Sequence, residues 1–242
     1  VSMVNLCEHE DGKKPAKDLS IAQALSGTSL DPCVGRFLEF RIVRAPSQRD
    51  LSQVPKQLIP NPNLSSIPVA RERVFEFGRG RDGGGLPVDH PEGPEPWGVK
   101  VNGGTAKLAD MRRVSNLPRP GDIEQWTIKS GGGWGHPVHL HFEEAKTLSR
   151  TTGIPALEAG KRKDVWHIGH ATGDVTFQVG FGEFGGAYVN HCHNTVHEDN
   201  AMLLRYDLIK GNSNAGIDDV HITVLPTPDP RPEGVTYVES CF

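Results

Sequence analysis

Long apolar runs are missing from this 242-residue chain. No stretch approaches the roughly 18 residues that would suggest a membrane-crossing helix. A surplus of positive charge is missing too: 26 Lys and Arg stand against 30 Asp and Glu, for a net charge of −4. That leaves no basic footprint for nucleic acid. Long helical patterns are absent, which argues against a helix bundle. The opening residues, VSMVNLCEHEDGKK, lack the basic start and apolar stretch of a secretory leader, and they read as the middle of a fold. Cysteine is scarce, with Cys7, Cys33, Cys192 and Cys241 the only four. A Cys7–Cys33 bridge and a pair of free thiols are both open readings, and Cys241 has no partner that spacing can name. A bridge would imply an oxidising compartment.

Turn-forming residues are plentiful. The 28 Gly and 19 Pro are spread along the chain, as short strands joined by many turns require. Residues 37–43 (FLEFRIV) alternate, with Leu38, Phe40 and Ile42 on one face, and predict a half-buried strand. Residues 44–70 are rich in Pro, Ser, Asn and Gln and read as a linker. Strand character restarts at Val74–Phe77, and residues 78–97 read as an irregular loop. Leu108–Val114 is ambiguous. Further strands are expected at Ile123–Ile128, Asp174–Phe181, Met202–Ile209 and Val220–Leu225. In the second of these, Val175, Phe177, Val179 and Phe181 share one face. Residues 143–150 (EEAKTLSR) favour a short helix on propensity alone. The sum is an all-β chain, an antiparallel sandwich or barrel.

Chemistry concentrates in two segments. HPVHLH supplies His136, His139 and His141; HCHNTVH supplies His191, Cys192, His193 and His197, with Met202 ten residues after the cysteine. Residues two apart on a strand share a face. His139 and His141 therefore project together, as do His191 and His193, while Cys192 points the other way. One strand can then feed two metal sites back to back. A thiolate, two imidazoles and a distant thioether form the ligand set of a blue copper centre. Cys192, His197 and Met202 fit it, with His136 as the second imidazole. His139, His141, His191 and His193 remain as an all-imidazole set, for which copper is favoured by the neighbouring thiolate site. Zinc is the main chemical rival, but it rarely takes a long axial thioether, and only one cysteine is available here.

These motifs resemble those of the multicopper oxidases, the laccases and bilirubin-oxidase-like proteins. HPVHLH and HCHNTVHEDNAM fit the family's two C-terminal copper motifs. SRTTG and KDVWHIG are similar to the stretch between them, and DPCVGRFLEFRIV looks like the end of the family's second domain. The resemblance implies a cupredoxin-like Greek-key β-sandwich or barrel, the C-terminal domain of a three-domain oxidase. Residues 1–45 would close the second domain, 46–70 would link, and 71–242 would form the third domain. By this likeness 143–150 is a strand. Carried over, the type 1 copper is held by His136, Cys192 and His197 with Met202 axial. His139 binds the type 2 copper, and His141, His191 and His193 bind the binuclear type 3 pair. Glu198 is implied as a proton-delivering catalytic residue, with a solvated acid as the plain alternative. Asp199 is a weaker candidate for that role. Asn194 is expected to shape the type 1 site, and for Trp134 packing over that site and ordinary core packing are both open readings. His167 and His170 read as structural, and His9, His90 and His221 as surface residues.

A full oxidase of this kind carries two more His-x-His motifs, whereas the first 135 residues here hold only His9 and His90. The resemblance therefore implies a partner: an N-terminal part of the same oxidase, or a second chain, supplying both motifs. Alone, the chain is not expected to reduce dioxygen. With the partner, one-electron oxidation of a small reductant would be coupled to four-electron reduction of dioxygen to water. Electrons would enter at an exposed edge of His197. The reductant is left open among a phenol, an aromatic amine, a tetrapyrrole and a metal ion. A standalone cupredoxin electron carrier and a copper-handling protein are the rival functions. The expected location is extracellular or periplasmic.

Overall fold

The computed structural model describes residues 1–10, 14–56, 60–61, 63–79, 97–132, 134–156, 158–169, 172–208 and 218–221. The expectations for His90, His170 and Cys241, most of the loop at 78–97, and residues 222–225 of the last strand lie outside them.

Short strands dominate. The first four are β1 (Ser2–Asn5), β2 (Cys7–Glu10), β3 (Lys14–Asp18) and β4 (Gly35–Glu39), with a one-turn helix α1 (Ile21–Leu25) before β4. They make two two-stranded sheets, β1–β4 and β2–β3. Cys7 and Cys33 are free thiols. The half-buried strand expected at 37–43 is not half-buried: Phe37, Leu38, Phe40 and Ile42 are all exposed. Among the described residues β4 pairs only with β1, and the one-turn helix α1 beside that ribbon is too short to bury its apolar residues, with only Ala24 of the helix buried. The described part of 44–70 holds no strand, only a 3-10 turn at Leu64–Ser66.

The remaining strands form a sandwich. They are β5 (Arg71–Arg79), β6 (Trp97–Val101), β7 (Arg113–Asn116), β8 (Ile123–Gly131), β9 (His136–Leu140), β10 (Ala145–Arg150), β11 (Arg162–Lys163), β12 (Val165–Ile168), β13 (Val175–Gly180), β14 (Gly186–Cys192), β15 (Leu203–Leu208) and β16 (Asp218–His221). One six-stranded sheet runs β11-β10-β13-β8-β5-β6 and the other β12-β9-β14-β15-β7-β16. The chain crosses repeatedly between the two, so neighbours in sequence seldom lie side by side. Most pairs are antiparallel; β5–β8 and β7–β15 are parallel.

The core lies between the sheets because alternate residues point inward. Val175, Phe177, Val179 and Phe181 are all buried, as their period of two requires. Trp166 of one sheet stacks on Phe177 of the other, with ring centroids 4.1 Å apart. Tyr206 meets Trp126 edge-on at 6.1 Å. Residues 143–150 are not a helix. Ala145 and Thr147 face inward while Lys146 and Leu148 face out, and pairing with β13 overrides the helix propensity.

Candidate metal centre

The adjacent strands β9 and β14 set the site. They pair antiparallel with His191 opposite His139 and Cys192 opposite Val138, and this register gathers the two motifs. His136 starts β9 and Cys192 ends β14. A short helix α2 (Thr195–Asn200) follows and returns His197 to the thiol.

The first cluster is closed. His136, Cys192 and His197 are fully buried. The two Nδ1 atoms lie 3.1 Å apart, and Cys192 Sγ lies 3.8 Å from that of His136 and 3.7 Å from that of His197. Met202 is buried too. Its backbone N–H donates to the His197 carbonyl at 2.7 Å, and its carbonyl accepts from the Cys192 N–H at 3.0 Å. The expected contribution of Asn194 comes through its main chain: its N–H points at Cys192 Sγ, 3.4 Å away. Burial pushes the Cys192 thiol up to about 12, so without a cation beside it the sulfur keeps its proton at neutral pH.

The second cluster lies on the opposite face of β14 and is open on one side. His141 Nε2 is 2.9 Å from His191 Nε2, and His139 Nδ1 is 3.0 Å from His193 Nε2. His191 is buried, His139 and His141 are half-buried, and His193 is exposed. Glu198 Oε1 sits 3.0 Å from His191 Nδ1, which leaves Nε2 of that ring facing the cluster. Asp164 Oδ2 lies 3.5 Å from His139 Nε2. Burial holds His139 and His141 below the ordinary histidine range. Neighbouring imidazoles add to the effect on both, and Asp164 opposes it at His139.

The donor sets suit a metal. Two imidazole nitrogens bound to one ion, each at about 2 Å, stand roughly 3 Å apart, and the His136–His197 and His141–His191 pairs show that spacing. His136, Cys192 and His197 form one group with ligand atoms within 4.8 Å of one another, and His139, His141 and His191 form another. His191, His193 and Glu198 form a third. A carboxylate on the second nitrogen of a ligating histidine is the usual outer partner of such a ring.

Several expectations change. His197 has no exposed edge. Its ring is fully buried, with Trp97 at a centroid distance of 4.1 Å and Trp134 at 5.4 Å. Packing over the site was one of two open readings for Trp134. Trp97 was not foreseen there, because it lies a hundred residues from His197 at the end of a segment that reads as irregular loop. His9 is half-buried, with Nδ1 3.4 Å from Asp31 Oδ2, and His167 Nδ1 contacts Thr172 Oγ1 at 2.9 Å. Neither touches the clusters.

A β-sandwich with a thiol–imidazole pocket backed by an imidazole cluster has the architecture of a cupredoxin-like domain. Comparison with known proteins narrows the class. Residues 88–210 match the family model described as multicopper oxidase. A bilirubin oxidase from Albifimbria verrucaria is 30% identical over 182 residues, covering 71% of this chain and 28% of that protein. A laccase from Bacillus subtilis is 25% identical over 194 residues, covering 71% of this chain and 34% of the laccase. A laccase-like multi-copper oxidase from Ochrobactrum sp. superposes with a TM-score of 0.50 at 21% identity, over 67% of this chain and 36% of that structure. The chain belongs to the multicopper oxidase family, and it spans about a third or less of these two curated relatives.

Proposed function

We propose that this chain carries the type 1 copper centre and half of a trinuclear centre of an oxidase. His136, Cys192 and His197 would hold the type 1 ion, with Met202 as a further, weaker ligand. His139 would bind the type 2 ion, and His141, His191 and His193 the type 3 pair. Copper held by these residues would supply one-electron transfer chemistry linking a reductant to dioxygen.

One observation carries this reading. Cys192 and His191 are adjacent on β14, yet one joins the closed cluster and the other the open one. The peptides on either side of Cys192 join it to His191 and His193, so the covalent route between the two clusters is one residue long. Met202 and the Asn194 N–H fix the thiolate side. On the other side Glu198 accepts from His191 Nδ1, which orients the ring, and its partial exposure lets it exchange a proton with solvent. Further imidazoles would join the cluster at its open edge beside His139 and His193. An N-terminal region of the same oxidase, or a second chain, would bring them as two His-x-His motifs. An extracellular or periplasmic location goes with this reading.

Copper titration tests it. Copper(II)-loaded chain should show an intense visible thiolate-to-copper band, lost in Cys192→Ser, and further copper bound outside that band. Oxygen uptake should need a region that supplies two further His-x-His motifs. A single stable copper, with no binding at the imidazole cluster, would point to an electron carrier instead.

A further inference from the structure

The imidazole cluster brings fewer ligands than its proposed ions need. His139 and His141 come from β9 and the residue after it, and His191 and His193 from β14 and the residue after it. Period-two alternation puts both pairs on the outward face of the second sheet. His141 and His191 meet at 2.9 Å, and His139 and His193 at 3.0 Å. One copper(II) ion in a nitrogen site takes about four strong donors, so these four imidazoles fall well short of a trinuclear set.

The face around the cluster is unlike one meant for water. The solvent side of an antiparallel sheet is ordinarily polar. Here His191 sits between His139 on β9 and Leu203 on β15. Val189 lies two residues before His191 and shares its face. Val189 and Leu203 are half-buried, and His193 is exposed. Among the described residues an apolar floor bordered by imidazoles therefore lies partly open, the composition of a surface that another chain covers. Charge sets the condition for covering it. Asp164 Oδ2 and Glu198 Oε1 stand behind His139 and His191 at 3.5 and 3.0 Å, and the chain carries a net charge of −4. Two such faces repel when brought together bare. Divalent cations held between them remove that repulsion and add bonds from both sides.

We infer that the second chain is another copy of this one: two copies meet at the imidazole face about a two-fold axis, and copper ions between them are ligated from both sides. This rests on the proposed copper reading. A two-fold contact is isologous, so one patch serves as its own partner. Each copy carries two His-x-His pairs, at His139 with His141 and at His191 with His193. The two further pairs that the cluster requires are those of the other copy. The closed sites at Cys192 lie on the opposite face of each β14 and stay one to a chain. Without copper the chain is a monomer.

The test is the molar mass of the full chain by sedimentation equilibrium, with EDTA or with copper(II) alone. With EDTA the mass should be the 26.4 kDa of one chain, and with copper(II) twice that. A contact ligated from both sides should hold at about 1 μM chain. EDTA added afterwards should restore the monomer, which separates the contact from a disulfide through the exposed Cys33. His139→Ala combined with His193→Ala should stay monomeric in copper(II) while the visible thiolate-to-copper band survives. Both positions are at least partly exposed, and the surviving band shows that the variant is folded. Cys192→Ser should lose the band and still double its mass. A wild-type chain that shows the band, binds further copper and remains a monomer would overturn the inference, and the other motifs would then belong to a different region or chain. Doubling that persists in the double histidine variant would place the contact elsewhere and overturn it as well. A wild-type chain with no visible band would instead remove the copper reading, and this inference with it.

Discussion

Glu198 and His191 are seven residues apart, yet the carboxylate oxygen lies 3.0 Å from the ring Nδ1. The contact exists because α2 doubles back beside the end of β14. It holds a ring that also faces His141 at 2.9 Å. Glu198→Gln keeps the shape but replaces a charged acceptor with a neutral amide that can flip. Loss of such an outer partner typically weakens metal binding by about 10–100-fold. Copper affinity of the imidazole cluster should fall in that range while the visible band of the Cys192 site is unchanged. Equal weakening of both sites would mean that α2 as a whole has moved.

Cys192 makes copper loading pH-dependent. Burial pushes its thiol up to about 12, but a metal needs the thiolate. The sign follows: at neutral pH each ion entering the closed site expels one proton from Cys192, so loading tightens as pH rises. Apparent affinity should increase about tenfold per pH unit from near 7 to 9. Calorimetry in buffers of different ionisation enthalpy would count the released proton. Cys192→Ala should abolish this slope together with the band. An affinity independent of pH over that range would show the thiolate already formed in the metal-free protein.

How much of this was readable from the residues alone differs element by element. The back-to-back placement of the two side-chain clusters was legible, because alternation on a strand is strict and His191, Cys192 and His193 lie within three positions. β13 was legible for the same reason, all its inward residues being large and apolar. β10 was not, since its inward positions are Ala145 and Thr147, which give hardly any hydrophobic signal. The exposure of Phe40 and Ile42 escaped too. Alternation says which residues share a face, and only the neighbouring layer decides whether that face is covered. The Trp97–His197 contact joins positions a hundred residues apart, and no local pattern encodes it.

Asn190 lies two residues before Cys192 and on the same face of β14. It is almost fully buried, and neither its side-chain oxygen nor its nitrogen has a partner. Its cross-strand neighbours are Leu140 and Leu204, which offer it nothing. A buried polar group left unsatisfied costs about 1–3 kcal/mol. Asn190→Val keeps a strand-compatible shape and removes that penalty. The metal-free chain should gain about 1–2 kcal/mol in chemical denaturation. A loss of stability would reveal an internal water held by the amide.

The buried pair Arg73–Glu124 should behave in the opposite way. Arg73 Nε and Nη2 donate to the two carboxylate oxygens at 2.6 and 2.8 Å, and Trp126 Nε1 donates to Glu124 at 2.7 Å. Both charged side chains are almost completely shielded from solvent. The pair ties β5 to β8, the parallel contact within the first sheet. Two buried charges that neutralise each other can be roughly balanced in net free energy, because desolvation offsets attraction. Removing one is different. Glu124→Ala leaves a guanidinium in an apolar layer and strips the indole of its acceptor, and the expected loss is about 3–5 kcal/mol. Replacing both, as Arg73→Met with Glu124→Leu, should cost much less than Glu124→Ala alone. Comparing the three chains by denaturant unfolding decides the matter. If the double variant is as unstable as the single, the pair contributes directly to stability, and its geometry outweighs the desolvation of both ions.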